Sequence, residues 1–136
     1  MIGVVIVAHG GLAREYLAAI EHVVGVQPGI RAIAIEPDHD RSAKQSEITT
    51  AANAVDSGDG VVIVTDLFGG SPSNLSLQAC APDNRRILYG ANLPMLIKLA
   101  KSRQLPVSDA VRAAMEAGKK YINSQNISSD QGGSTE

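Results

Sequence analysis

The sequence predicts an α/β fold: an open, mainly parallel four-stranded sheet in the order 2-1-3-4, with helices on both faces. Two short runs rich in β-branched residues, 2–8 and 60–65, are typical of strands that are buried on both faces. Segments in which apolar residues recur at helical spacing separate the strand-like runs, so strands and helices alternate along the chain. This alternation favours parallel strands joined by right-handed crossovers. With 136 residues the chain is most simply one folded domain.

The first half of the chain supplies three strands and two helices. The strand at 2–8 delivers His9, and the helix after it directs one stripe of residues toward the sheet: Leu12, Tyr16, Ala19, Ile20 and Val23. Gly25 ends that helix, and a second strand follows at 31–36. The next helix has its apolar positions at Ile48, Ala51, Ala52 and Val55. A glycine-containing turn at 57–60 then leads into the third strand.

The second half supplies the fourth strand and three helices. Ser71 before Pro72 has the order of an N-cap residue followed by proline, which predicts a helix from there to about Ala81. The fourth strand is predicted at 86–90, with helices through 95–100 and from 107 onward. Residues 119–123 either end the last helix or form a short antiparallel edge strand. Since 124–136 is almost entirely polar, we expect one domain at 1–123 and a loose tail at 124–136.

Composition and charge argue against several classes of protein. Aromatic residues make up only 3% of the chain and the net charge is −2, so a nucleic-acid surface is not expected. No apolar run approaches the roughly 20 residues of a membrane span, and the N-terminal run lacks the basic leader of a signal peptide. We therefore expect a cytoplasmic protein with no direct membrane insertion. The single cysteine, Cys80, lies in an apolar helical stretch and is predicted to be a structural thiol.

Two strands deliver polar side chains to the same edge of the predicted sheet. His9 follows the first strand and Asp66 follows the third, and in the order 2-1-3-4 these strands are neighbours. Open α/β sheets bind ligands in the crevice at such a point. A hydrogen bond from one ring N–H of His9 to Asp66 would fix the tautomer and leave the other nitrogen as a nucleophile. The pair indicates a site that handles phosphate on histidine.

The turn after Asp66 is suited to an anion. Gly69 and Gly70 lack a Cβ, so backbone N–H groups can approach whatever occupies the crevice. Ser71 either forms a hydrogen bond to the anion or only caps the helix. The N-terminus of that helix would stabilise a nearby negative charge by about 0.3–1 kcal/mol. An ordinary strand-to-helix turn would use the same residues. A serine hydrolase triad built on Ser71 is disfavoured, because the Gly-x-Ser-x-Gly elbow is missing.

Four more residues that follow strand ends are candidates for the rim of the crevice: Gly10, Leu67, Phe68 and Asn92. Asn92 suits a turn former equally well. His22 lies off the apolar stripe of its helix and His39 lies in an acidic loop, so both are predicted to be solvated rather than catalytic. The sequence has no convincing metal-ligand set, Walker loop or dinucleotide fingerprint, so neither a metal nor another cofactor is expected.

Three motifs in this order resemble one known family. The first strand ends in His9-Gly10, residues 66–74 read Asp-Leu-Phe-Gly-Gly-Ser-Pro-Ser-Asn, and residues 90–96 read Gly-Ala-Asn-Leu-Pro-Met-Leu. Over residues 1–123 the chain resembles the IIA component of the mannose-type (mannose/fructose/sorbose) phosphoenolpyruvate-dependent sugar phosphotransferase system (PTS). The resemblance implies a cytoplasmic, typically dimeric α/β protein. Such a protein takes a phosphoryl group from phospho-HPr onto histidine Nε2 and passes it to a IIB component.

By position, the resemblance makes His9 the phosphorylated histidine, Asp66 its carboxylate partner and Ser71 the serine near the phosphate. Family members often continue into a fused IIB domain, whereas this chain ends in a short polar tail, so a free-standing IIA protein with a separate acceptor is expected. Two alternatives stay open. One is a regulatory protein whose His9 phosphorylation state controls a partner. The other is a phosphotransfer subunit similar to that of dihydroxyacetone kinase. The motif at 66–72 argues against this second alternative.

Overall fold

The computed structural model describes residues 1–67 and 69–127. Within these ranges the α-helices and β-strands are β1 (Gly3–His9), α1 (Leu12–Val24), β2 (Ile30–Ile35), α2 (Arg41–Val55), β3 (Val61–Thr65), α3 (Ser71–Ser76), β4 (Arg85–Leu88), α4 (Leu93–Lys101) and α5 (Val107–Lys120). The strands form one sheet in the order β2-β1-β3-β4, and every neighbouring pair is parallel. The predicted fold class and strand order are confirmed.

The strands are apolar on both faces because helices cover both faces of the sheet. On β1, Val4 and Ile6 belong to the core beneath α1, α4 and α5, whereas Val5 and Val7 belong to the core beneath α2 and α3. All four side chains are at most 1% exposed. Successive residues of a strand point to opposite faces, so this run must be apolar throughout. The carboxyl ends of the strands and the loops after them are left to form a site.

The apolar stripe of α1 is rotated from the predicted one. The side chains that are buried or packed against the core are Ala13, Tyr16, Leu17, Ile20 and Val24. Leu12 is 39% exposed and Val23 is 54% exposed, so the prediction that these two face the sheet was wrong. The observed set follows the 3.6-residue period, and both exposed residues lie along one flank of it.

The helix after β3 is shorter than predicted. α3 ends at Ser76, and a short 3₁₀ helix at Gln78–Cys80 replaces the expected continuation to Ala81. Ser76 Oγ donates a hydrogen bond to the Pro72 carbonyl at 2.6 Å, a local bond that weakens and bends helices. The N-cap position belongs to Gly70, with Ser71 as the first helical residue, so the N-cap prediction for Ser71 was wrong.

β4 spans 85–88 rather than 86–90, and it begins with a buried cation. The guanidinium of Arg85 donates hydrogen bonds to the Ala79 carbonyl at 2.9 Å, to Asn53 Oδ1 at 2.8 Å and to Asp56 Oδ2 at 3.2 Å. Buried charges are tolerated when they are paired in this way. Arg85 therefore joins β4 to α2 and to the 3₁₀ segment.

At the C-terminal side, α5 continues to Lys120 and residues 122–127 have no regular structure. Of the two alternatives for 119–123, the helix end is the one observed, and residues 121–127 contain no edge strand. The remainder of the predicted tail, 128–136, lies outside the described residues. No helix in the described ranges is long and apolar enough to cross a membrane.

Candidate active site

His9 and Asp66 meet at the carboxyl edge of the sheet. His9 is the last residue of β1, and Asp66 directly follows β3, the strand beside it. Asp66 Oδ2 accepts hydrogen bonds from His9 Nδ1 at 2.9 Å and from the His9 backbone N–H at 3.1 Å. The side chain of Asp66 is 10% exposed and that of His9 is 48% exposed. The carboxylate is therefore held inside the edge while the imidazole extends from it.

The contact with Asp66 sets the chemistry of the His9 ring. An ionised carboxylate only accepts hydrogen bonds, so Nδ1 carries the hydrogen and Nε2 keeps its lone pair. Burial by itself would raise the pKa of Asp66. The hydrogen bonds from the ring and backbone of His9 outweigh that effect and hold the pKa below its usual value. Asp66 is therefore ionised at neutral pH and can stabilise positive charge on the ring.

The turn after Asp66 brings the backbone close to the imidazole. Gly69 has a φ of +86°, which residues with a Cβ rarely adopt. A Cβ added to Gly70 would lie 3.4 Å from Cε1 and 3.8 Å from Nε2 of His9. The polypeptide thus passes directly beside the nitrogen that carries the lone pair. Of the two predicted phosphate-binding glycines, Gly70 adjoins the ring and Gly69 lies in the turn just before it.

A cavity of about 440 Å³ opens beside His9. Its walls come from the ends of β1 and β2, the loop after β2 and the start of α3: His9, Gly10, Ile35, Glu36, Pro37, His39 and Ser71. Ser71 therefore borders the same space as the imidazole. α3 is only six residues long, so its dipole stabilises a nearby negative charge less than the dipole of the predicted helix to Ala81 would have done.

The other candidate rim residues differ in their placement. Gly10 borders the cavity, and Leu67 is 57% exposed immediately after Asp66. Phe68 lies outside the described residues. Asn92 does not border this cavity. Its Oδ1 accepts a hydrogen bond from Met95 N at 3.0 Å, and its Nδ2 donates to the Gly118 carbonyl at 3.0 Å. These bonds cap α4 and tie it to α5, which favours the turn-former interpretation of Asn92.

Sequence reasoning missed His39, which was predicted to be solvated. It is half-buried in the wall of the cavity, and its Nδ1 lies 2.8 Å from the Glu36 carbonyl oxygen. A signal for this placement existed. In the order 2-1-3-4 the second strand adjoins the first, so residues after the second strand share the edge where His9 lies. His22, also predicted to be solvated, is exposed on α1.

Tyr16 is a second residue near the site whose contact was not foreseen. Its hydroxyl donates a hydrogen bond to the Ala91 carbonyl at 3.1 Å, joining α1 to the loop after β4. Burial raises the pKa of Tyr16, and the negative charge of Asp66 raises it further. Helical periodicity places the Tyr16 ring against the core but contains no signal for the partner of its hydroxyl.

Two further observations concern metal ligands and the cysteine. Within residues 1–67 and 69–127, no group of three or more His, Cys, Asp or Glu side chains could hold a metal ion. Burial raises the pKa of Cys80 to about 11, although the nearby Arg85 charge partly opposes the rise. The thiol is therefore protonated at neutral pH, which agrees with a structural cysteine.

Comparisons with known proteins point to one family. A family profile described as "PTS system fructose IIA component" matches residues 3–116. The "PTS system mannose-specific EIIAB component" of Escherichia coli (strain K12) is 25% identical over 124 residues, which are 89% of this chain and 38% of that protein. The chain thus spans less than half the length of that relative. The "PTS system sorbose-specific EIIA component" of Lacticaseibacillus casei is 26% identical over 125 residues, 89% of this chain and 88% of that protein.

A solved structure supports the same relationship. The phosphotransferase system component EIIA from Streptococcus agalactiae superposes with a TM-score of 0.81 at 25% sequence identity. The superposition covers 91% of this chain and 97% of that one. The two proteins therefore share one fold over about nine-tenths of this chain.

Proposed function

This chain belongs to the family of phosphotransferase-system IIA components, and from that membership we propose that it carries a phosphoryl group on Nε2 of His9. As a IIA component it is a phosphotransferase protein of sugar transport. One observation carries the proposal. His9 gives its Nδ1 hydrogen to Asp66 at 2.9 Å, which leaves the Nε2 lone pair beside the Gly70 backbone. A neutral imidazole held in this way is a nucleophile that needs no further base.

The proposed donor is the phosphohistidine of HPr. The Nε2 lone pair of His9 forms the new N–P bond, and the electron pair of the broken bond stays on the donor imidazole. Positive charge grows on the His9 ring as the bond forms, and the ionised Asp66 stabilises it through the Nδ1 hydrogen bond. The hydroxyl of Ser71 and the backbone at Gly69 and Gly70 are proposed to surround the phosphoryl oxygens. Neither a metal nor a nucleotide takes part in this step.

Labelling tests this proposal. The protein is incubated with [³²P]phosphoenolpyruvate, enzyme I and HPr, and is expected to acquire an acid-labile, alkali-stable phosphohistidine. His9→Ala should remove the label. His22→Ala is the matched control, because that histidine is exposed on α1 and does not border the cavity. Label that persists in His9→Ala at the wild-type level would overturn the assignment.

We propose a IIB component as the acceptor. One relative is named as an EIIAB component, a name that couples the two activities in one protein. Adding a purified IIB protein from the same genome to the labelled chain should remove the label within seconds to minutes. If the label stays on His9 with every IIB protein of that genome, a regulatory role for the phosphorylated form is favoured instead. The resemblance to this family also implies the cytoplasmic location, which we retain as part of the proposal.

We further propose that residues 1–123 form the IIA domain and that it pairs with a second copy. Between β4, the edge strand of the sheet, and α5 lies a cavity of about 390 Å³ whose apolar lining includes Ile87, Val111, Met115 and Ile122. Tyr121 and Ile122 are 66% and 75% exposed. Two copies joined at this edge would cover apolar residues that water now reaches. Sedimentation should give a dimer for the wild type and a monomer for Met115→Lys, while Leu105→Lys, elsewhere on the surface, stays dimeric.

A further inference from the structure

The cavity beside His9 contains a second imidazole whose orientation is defined. His39 follows β2 and forms part of the cavity wall together with His9 and Ser71. Its loop is anchored on both sides. Ile35 ends β2, and the Asp40 side chain caps α2 by accepting a hydrogen bond from Ala43 N at 3.0 Å. The backbone N–H of His39 also donates to the Glu36 carbonyl at 3.3 Å.

One ring nitrogen of His39 is already engaged. Nδ1 lies 2.8 Å from the carbonyl oxygen of Glu36, and a carbonyl can only accept a hydrogen bond. Nδ1 therefore carries the hydrogen in the neutral ring. Nε2 is the nitrogen left to meet a ligand in the cavity. It becomes a donor toward an anion when the ring takes up a second proton.

We propose that protonated His39 donates a hydrogen bond from Nε2 to the phosphoryl group carried by His9. This inference rests on the proposed function and adds a second binding residue to the same site. Hydrogen bonds between an imidazolium and a phosphate oxygen are charge-assisted and about twice as strong as neutral ones. The ring takes one proton from solvent and forms one N–H bond, at Nε2, and no other covalent bond of His39 changes. Ser71 and the glycine backbone are neutral, so among the groups that border the cavity the added positive charge comes from this ring.

The contact has a defined pH dependence. Imidazole side chains change charge between about pH 5 and pH 8, so the contact is present at the acid end and is lost as the pH rises. Glu36 and His9, which has Asp66 as its partner, border the same cavity as His39. Asp38, Asp40 and Arg41 adjoin His39 along the chain, and the phosphoryl group adds a further negative charge. Since the phosphohistidines of the donor and of His9 carry ionisable groups of their own, the wild type must be compared with variants.

The experiment measures the equilibrium of phosphoryl exchange with HPr between pH 5.5 and pH 8.5. The wild type and the control His22→Gln should favour the phosphorylated form most strongly at low pH. The side chain of His39→Gln cannot be charged, so its equilibrium constant should be about tenfold lower than that of the wild type at pH 6, which corresponds to about 1.4 kcal/mol. At pH 8.5 the two constants should be equal. His39→Arg, which is always charged, should keep the low-pH value up to pH 8.5.

The outcomes separate this inference from the proposed function. If His39→Gln is phosphorylated on His9 and shows the same pH dependence as the wild type, His39 does not touch the phosphoryl group. If His39→Arg behaves as His39→Gln does, charge is not the reason for the effect and the inference falls. If the wild type itself accepts no phosphoryl group from HPr, the proposed function fails and the inference fails with it. Circular dichroism at both pH limits establishes that each variant is folded.

Discussion

Replacing Asp66 by asparagine removes one charge from the site and leaves its shape nearly unchanged. Oδ2 accepts two hydrogen bonds from His9, one from ring Nδ1 at 2.9 Å and one from the backbone N–H at 3.1 Å. An amide oxygen can accept both, but the amide nitrogen then occupies the place of Oδ1. In the described structure Oδ1 is buried and has no hydrogen-bond partner. Turning the amide around would instead place its N–H groups against two donors of His9.

The expected magnitude follows from these contacts. The Nδ1 hydrogen bond strengthens as the ring turns positive, and in Asp66→Asn it strengthens toward a neutral amide oxygen instead of a carboxylate, which costs the transition state about 1–1.5 kcal/mol. Asparagine also supplies no charge to the ring that becomes positive, and because the His9 side chain is 48% exposed, solvent reduces this effect to roughly another 1–1.5 kcal/mol. A total of about 2–3 kcal/mol corresponds to phosphoryl transfer that is roughly 30- to 160-fold slower.

Rapid-quench measurement of ³²P transfer from phospho-HPr gives this rate directly. Asp83→Asn is the matched control, because Asp83 is exposed in the turn before β4, away from the cavity. It should transfer at the wild-type rate. A folded Asp66→Asn protein whose rate stays within twofold of the wild type would refute the reasoning and would leave Asp66 a purely structural role.

The same variant changes how stability depends on pH. The pKa of Asp66 is lowered in the folded protein, because the His9 hydrogen bonds outweigh the effect of burial. Ionised Asp66 therefore stabilises the fold above its unfolded pKa, and this contribution is lost as the pH falls through the lowered folded value. In urea titrations, the difference in the free energy of unfolding between wild type and Asp66→Asn should be larger at pH 7 than at pH 3. A difference that is constant across this range would contradict the expectation.

Three further changes test other parts of the structure. Gly70→Ala should slow phosphorylation several-fold, because its Cβ, 3.8 Å from Nε2 of His9, would fill space that the incoming phosphoryl group needs. Gly11→Ala, whose added Cβ has nothing within 4 Å, should keep the wild-type rate, and equal rates of the two variants in quench-flow would contradict this. Burial raises the pKa of the Cys80 thiol to about 11. At pH 8 this thiol should therefore react with iodoacetamide far more slowly in the folded protein than in urea, which mass spectrometry can measure. Arg85→Met should lower the free energy of unfolding by about 3–5 kcal/mol, because Asp56 would lose its buried partner; a loss below about 1 kcal/mol in urea would count against that.

The strand order and the meeting of His9 with Asp66 were accessible from sequence for one reason. His9 and Asp66 each follow a continuous apolar run, and such runs are typical of strands covered on both faces. Right-handed crossovers then leave few ways to order four parallel strands. Once β1 and β3 are neighbours, the residues after them share an edge. Topology alone therefore predicts the proximity of these two side chains.

Helix details were not accessible in the same way. α1 carries apolar residues on a flank as well as on its buried stripe, so composition cannot tell that Leu12 and Val23 are exposed. At the end of α3, Ser76 Oγ bonds to the Pro72 carbonyl, and periodicity contains no signal for such a local bond. Gly70 and Ser71 both suit an N-cap, and the extended backbone of Gly70 decides between them.

The three histidines show what distinguishes a residue that accepts the phosphoryl group from one that only binds it, at the carboxyl edge of the sheet. His22 is exposed on α1 and does not border the cavity beside His9. His39 and His9 border one cavity, and each gives its Nδ1 hydrogen to an oxygen, at 2.8 Å and 2.9 Å. The oxygen beside His39 is a neutral carbonyl, whereas the oxygen beside His9 is a carboxylate. Both fix a tautomer, but only the carboxylate lowers the energy of a ring that turns positive on forming an N–P bond. The partner of Nδ1 therefore assigns bond formation to His9 and leaves to His39 the binding of the group that His9 carries.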